Sequence, residues 1–407
     1  MQFRIAKVTL AVGASAALIA ACGSSSKPSS SSSTASSSST GGGLPATIKI
    51  GVPLDLTGSS EITGVGTGEW AGVQFAVNQI NSTHYLGNTK IDPIMFDTQA
   101  SKTLAVQRTT ELVDSDHVSA IVGYSLTPSF LAAGPVAQKA KIPVMAVGLS
   151  GSGVTAVGNY MFRELLNYND LFNYGDPAFV KATHATTAAY LYGSDTVTTS
   201  GQYQARHKLL ESLGVKTVAV ETITATTTDM QAQLTAIKNA HPDLLVVNVD
   251  TGQVPTVLVQ VAQAGISAQY LGDTSLGSDV VLKNAAAVKA AQCGLFTTPW
   301  VPSSTAGGNP QFVAQWKAAN NGQTPDFFDA LGRDAMWAMA TAIKNANSDN
   351  PTAIRDALAS IKNFTGAMGT YGWDNPSAPR QPTYGGVNQQ VQNGVDVNWT
   401  PTTTCTK

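Results

Sequence analysis

The chain has 407 residues, of which 43% are apolar and only 12% charged, and its formal net charge is −2. That is more length than one domain ordinarily takes and enough apolar sequence for a sizeable core. So few charges, with no basic stripe to neutralise phosphates, exclude a nucleic-acid or anionic-membrane surface and suit an exported protein solvated by neutral polar groups.

In chain order, Arg4 and Lys7 come first, followed by about 14 mostly apolar residues, the layout of a secretory signal. The run is too short to span a bilayer, which takes about 20 residues. It ends Ile19-Ala20-Ala21-Cys22. This aliphatic-small-small-Cys pattern resembles the lipobox of bacterial lipoproteins, which implies removal of residues 1–21 and a lipid anchor on the Cys22 sulfur. The plain alternative is an ordinary signal peptide that contains a cysteine. Residues 22–45 are mostly Ser, Thr and Gly. With almost nothing to bury, they are expected to form a disordered tether. About 20 such residues would average roughly 25 Å end to end and stretch to about 70 Å.

Beyond the tether, short apolar runs alternate with amphipathic stretches. The runs at 48–54, 91–97, 119–124, 142–148, 187–193, 217–223, 243–249 and 294–299 are mostly continuous, as strands buried on both faces should be. Helical patterns lie at 69–82, 103–116, 204–214, 229–241 and 254–265. Asp229 is placed to cap one helix, and Gly214 and Gly265 to end two others. Strand, helix, strand at this spacing means parallel sheets. The strands fall into two sets, divided near residue 165, and helical patterns at 327–347 and 351–362 follow both. From Gly366 onward the chain reads as hairpin and loop. The fold class expected is α/β, in two doubly wound lobes.

With Cys22 assigned to lipid, Cys293 and Cys405 remain. An even remainder in an oxidising compartment invites a bridge between them, two free thiols being the alternative. They lie far apart without a His-rich neighbourhood, so no metal site is expected.

Several stretches resemble the branched-chain amino acid-binding proteins of ABC importers. They include IKIGVPLDLTG (48–58), GVQFAVNQIN (72–81), AVQRTTELVDSDHVSAIVGYSLTPS (105–129), VAQKAKIPVMAVG (136–148), VLVQVAQAGI (257–266) and FFDALGRDAMWAMATAI (327–343). The resemblance covers roughly 47–385 and implies a type I periplasmic binding protein: two Rossmann-like lobes joined by three chain crossings, with ligand in the cleft between them. Residues 46–165 plus 300–364 would form the N-lobe, and 166–299 plus 365–407 the C-lobe.

Two loops after N-lobe strands, YSLTPS (124–129) and GLSGSG (148–153), carry small residues that let backbone N–H groups approach a ligand. The hydroxyls of Ser125, Thr127, Ser150 and Ser152, with the backbone at Gly151, could hold an anion at a helix N-terminus without an arginine. The competing reading is that these serines only cap helices. In the resembled family the two loops grip an α-carboxylate, while a C-lobe tyrosine and an acid take the ammonium. Here Ser200 stands where the tyrosine aligns and Thr274 where the acid does, with Asp273 one residue earlier and Asp250 as the other candidate carboxylate. A family aromatic is also replaced near Val65. A cation in a buried cleft needs a negative partner. If neither Asp250 nor Asp273 faces the cleft, the ligand is uncharged or carboxylate-only. Tyr124 and Trp300 are candidates either for flat apolar walls or for ordinary packing.

Catalysis has little to stand on. No histidine lies beside a motif serine, GLSGSG is not the G-x-S-x-G elbow, and GVGTGEW (64–70) lacks the third glycine of a dinucleotide fingerprint. No cofactor is expected. The resemblance therefore implies a solute-binding lipoprotein, partnered by a membrane permease and its ATPase subunits, that closes a hinge over a small polar solute. A ligand sensor of the same fold signalling to a partner protein is the alternative, and an exported hydrolase a remote one.

Overall fold

The computed structural model describes residues 43–58, 64–376 and 378–406. The expected signal segment 1–21, Cys22 and the tether up to residue 42 lie outside the described residues. The first lobe opens with β1 (Thr47–Leu54), α1 (Val65–Ser82), β2 (Lys90–Asp97), α2 (Lys102–Asp114), β3 (Ala120–Gly123), α3 (Thr127–Ala140), β4 (Val144–Ala146) and β5 (Met161–Arg163). Its five strands are parallel, in the order β2-β1-β3-β4-β5.

The second lobe follows with α4 (Tyr168–Thr183), β6 (Thr187–Gly193), α5 (Val197–Ser212), β7 (Lys216–Ile223), α6 (Gln231–Asn239) and β8 (Leu244–Asn248). It continues through α7 (Val254–Ala264), β9 (Gln269–Leu271), α8 (Asp279–Leu282), α9 (Ala285–Ala291) and β10 (Leu295–Thr298). The chain then returns to the first lobe with α10 (Asn309–Ala319), α11 (Phe327–Ala346), α12 (Pro351–Ala359) and the hairpin β11 (Phe364–Gly366)–β12 (Gly369–Tyr371). The hairpin β13 (Val387–Gln392)–β14 (Val395–Asn398) finally adds two antiparallel strands to the second sheet, whose order is β14-β13-β10-β9-β8-β6-β7.

Continuous apolar strands arise because both faces of each sheet are covered. In the second lobe Ala189, Leu191, Leu245 and Val247 point into one core, and Ala188, Tyr190, Leu244 and Val246 into the opposite one. In the first, Ala120 and Val122 face the core under α1 and α11, while Ile121 and Val144 face the core under α2 and α3. Helices α1 and α11 touch backbone to backbone: a Cβ on Gly72 would lie 2.1 Å from the Asp329 carbonyl oxygen, and one on Gly332 2.0 Å from that of Glu69. Pro93 is tolerated in β2 because that strand is the sheet edge.

The lobe boundary near the C-terminus differs from the expected position at 365. Phe364, Tyr371, Trp373 and Tyr384 are buried in the core of the first lobe. Trp373 Nε1 donates to the Arg163 carbonyl at 2.8 Å, and Tyr384 OH to the Glu164 carbonyl at 2.7 Å. Three aromatics beyond residue 365, Tyr371, Trp373 and Tyr384, hold this segment with their polar ends satisfied, so the chain rejoins the second lobe only near β13. It thus crosses between lobes after β5, after β10 and after β12. Cys293 and Cys405 are joined by a disulfide with Cα atoms 5.7 Å apart, at the N-terminal end of β10. Among the described residues no helix is long and apolar enough to cross a membrane.

Candidate functional site

Each lobe repeats one strand order, β2-β1-β3-β4-β5 in the first and β7-β6-β8-β9-β10 in the second. Neighbouring crossovers in such sheets diverge at the switch point between the first and third strands, leaving a crevice at the strand C-termini. The crevices meet in a cleft of about 90 Å³, room for several water-sized groups. Ser125, Thr127 and Ser150 line it from the first lobe, and Asp250, Asp273 and Thr274 from the second.

The first jaw is built around the loop after β3. Asp55, at the end of β1, accepts the Leu126 N–H at 3.2 Å and the Ser129 hydroxyl at 3.2 Å. This fixes the entry to α3, whose positive end begins at the cleft-lining Thr127. The Ser125 hydroxyl is not free as expected: it donates to Glu69 at 2.6 Å and accepts the Asp55 N–H at 3.1 Å. Glu69 is fully buried, its Oε1 has no partner, and burial pushes its carboxyl well above the ordinary range. That oxygen lies where a side chain on Gly148 would be, 2.0 Å from the Cβ position, so any larger residue at the cleft-lining Gly148 would displace the Glu69 carboxyl.

The loop after β4 rests on Arg163. The buried guanidinium donates to the Leu149 carbonyl and, at 3.1 Å, to that of Gly151. Burial lowers its pKa to about 10, which leaves it charged at neutral pH behind the loop. Gly151 and Ser152 do not line the cleft. The Gly151 N–H donates to Thr127 Oγ1 at 3.2 Å, and Ser152 Oγ meets the Tyr168 hydroxyl at 3.1 Å, joining this loop to α4.

On the second jaw, Asp250 follows β8. Both its carboxylate oxygens are buried without a hydrogen-bond partner, and burial, with Asp195 adding to it, pushes its pKa up to about 6. Asp273 also reaches the cleft, but it accepts the Ser275 N–H at 2.9 Å and serves as the N-cap of the turn at Thr274–Gly277. Ser200 turns back to the Gly193 carbonyl at 3.3 Å, and Thr198, Thr199 and Gln202 line the cleft from α5 instead. Aromatic walls come from Tyr168 and Phe172 on α4 and from Phe327 and Phe328 on α11. Phe172 is held by the Arg206 guanidinium 3.9 Å above its ring, itself paired with buried Asp176 at 2.7 Å. Val65 lines the cleft, whereas Tyr124 is core, with its hydroxyl 2.5 Å from Thr109 Oγ1. Trp300 is buried at the crossing after β10, where its Nε1 donates to Asn309 at 2.7 Å.

Two doubly wound lobes with a small cleft on their switch points define the type I periplasmic binding fold. Residues 47–392 match the family of periplasmic binding proteins, and the chain belongs to that family. An amino acid binding protein of Pseudomonas aeruginosa is 24% identical over 335 residues, spanning 81% of this chain and 86% of the relative. The branched-chain amino acid transporter substrate-binding protein LivJ of Streptococcus pneumoniae, solved in complex with isoleucine, superposes with a TM-score of 0.78 at 25% identity, over 87% of this chain and 100% of that one. A solute-binding protein of an R. palustris ABC transporter, solved in complex with benzoate, shares the fold with a TM-score of 0.77 at 20% identity, over 87% and 96% of the two chains. The family is one of extracytoplasmic solute-binding proteins of ABC-type import.

Proposed function

We propose that the protein captures a small α-amino acid in this cleft by hinge closure and delivers it to a membrane permease. The observation that carries the reading is Asp250, a buried carboxylate with neither oxygen satisfied, in the same cleft as neutral donors and a helix N-terminus. One jaw suits an anion and the other a cation, so a zwitterion satisfies both. The charged Arg163 behind the loop at 149–151 adds to the field at the anion end. When Glu69 is protonated, its O–H donates to Ser125 and frees the serine proton for the ligand carboxylate.

Moving a closed population from about 1% to about 99% takes about 5.5 kcal/mol of differential binding. Charge-assisted hydrogen bonds at about 1.5–3 kcal/mol each reach that with about two to four contacts. An anchor on Cys22 and the tether up to residue 45 would keep the closed form concentrated near the permease.

The aromatic walls favour a second reading, an aromatic carboxylate. Thermal-shift measurements on the full chain separate the two, because a ligand that binds only the native state raises its melting temperature. Aliphatic amino acids should raise it and benzoate should not. A shift with benzoate and none with any amino acid would replace the first reading by the second.

A further inference from the structure

Beside the first cleft lies a larger chamber of about 450 Å³, within the usual size range of small-molecule sites, roughly 300–1,000 Å³. Its walls come from both lobes and the hinge. Val280 on α8, Phe296 on β10 and Asp396 on β14 belong to the second lobe, Asp326 and Phe328 at the start of α11 to the first, and Trp300 to the crossing after β10. The surface is mainly apolar and aromatic, and its charges are of one sign: among the described residues Asp279, Asp326 and Asp396 line it and no Lys or Arg does.

The three carboxylates differ in how they are satisfied. Asp279 pairs with Lys283 at 2.5 Å. Asp326 accepts the Asp329 N–H at 2.9 Å as the cap of α11. Asp396 Oδ1 is buried with no hydrogen-bond partner among the described residues. Glycine at 277 makes this arrangement possible, since a Cβ there would lie 2.4 Å from Asp396 Oδ2 and 2.5 Å from the Phe296 ring. A carboxylate and an aromatic edge therefore meet at one wall, with an acceptor left over.

We propose that this chamber is a second binding site, for an amine with an apolar body. The ammonium meets Asp396, with Asp326 adding to the field, and the hydrocarbon lies among Phe296, Trp300 and Phe328. An anion would face three carboxylates, and a neutral hydrocarbon would leave Asp396 unmet. The rings add attraction for a cation. Because both lobes supply walls, the amine favours the closed arrangement. Thr274, Phe327 and Phe328 line both cavities, so the two occupants would touch the same rings. The inference does not depend on which solute fills the first cleft.

Calorimetric titration of the full chain with benzylamine tests it. Saturable binding is expected, with benzyl alcohol weaker by roughly tenfold or more because the charge-assisted contact is lost. Asp396→Asn should weaken benzylamine by a similar factor. If that variant fails to fold, Val280→Lys on the short, half-exposed α8 carries the test by placing a fixed ammonium in the chamber, and it should weaken benzylamine by at least as much. The proposal is overturned if benzylamine shows no saturable binding up to millimolar concentration. It is also overturned if both variants bind as the wild type does, or if Asp250→Asn rather than Asp396→Asn removes the binding.

Discussion

Neither carboxylate oxygen of Asp250 has a hydrogen-bond partner among the described residues, and that makes it the most informative residue of the cleft. Its folded pKa of about 6 is raised above the ordinary 3.8. In the free protein this acid therefore favours folding most below its unfolded value, and that contribution is lost as pH rises through about 6. A bound ammonium reverses the preference, because only the ionised carboxylate attracts it. Affinity for an amino acid is accordingly expected to be flat near neutrality and to fall by up to about tenfold per unit below the folded pKa; titrations between weakly acidic and neutral pH check this. At the buried Arg206–Asp176 pair, by contrast, Arg206→Met leaves Asp176 as an uncompensated buried charge and should cost about 3–5 kcal/mol in denaturant unfolding. Asp250 and the hydroxyls Thr127 and Ser150 were legible in the sequence because each follows an apolar run, where an α/β sheet opens its crevice, whereas Asp273, after the three-residue β9, was reached only through the family resemblance. Glu69 and Arg163 were not. One is an interior position of α1 and the other ends a three-residue strand, and only packing brings them under the loops they support.

Elements with long periodic patterns were the ones the sequence disclosed. The pattern at 327–347 became α11, Val254–Ala264 ends at Gly265 in a left-handed conformation, and Asp229 accepts the Gln231 N–H at 3.0 Å at the start of α6. Strands β5 and β9, of three residues each, are too short to show a period. Helix α4 carries Gly175 and Pro177 inside it, which hides it from propensity. Its glycine is explained by contact, since a Cβ there would lie 1.8 Å from Thr297 Oγ1. The same logic governs the pairing of α1 and α11. Gly332→Ala should force these helices apart and lower stability by about 1–3 kcal/mol, read as a shift in denaturation midpoint at constant slope. The displaced Glu69 should also loosen Ser125, so solute affinity falls with stability.

At the scale of the whole molecule, two lobes were readable from two sets of strands, but the boundary near residue 365 was not. The Gly- and Pro-rich C-terminal stretch hides three aromatics, Tyr371, Trp373 and Tyr384, whose partner core is distant in sequence. The disulfide lies at the N-terminal end of β10, away from the C-terminal strand ends that form the cleft. Replacing Cys293 and Cys405 together by alanine is therefore expected to cost about 2–5 kcal/mol of stability while leaving solute affinity unchanged. Closure over a zwitterion remains the central claim, and it rests on Asp250 recognising the ammonium. The most direct measurement compares isoleucine with 3-methylpentanoate, the same molecule without its amine, by calorimetry on the wild type and on Asp250→Asn. The wild type should prefer isoleucine by roughly tenfold or more, as one charge-assisted contact requires, and the variant should lose that preference. An equal preference in both proteins would contradict the account.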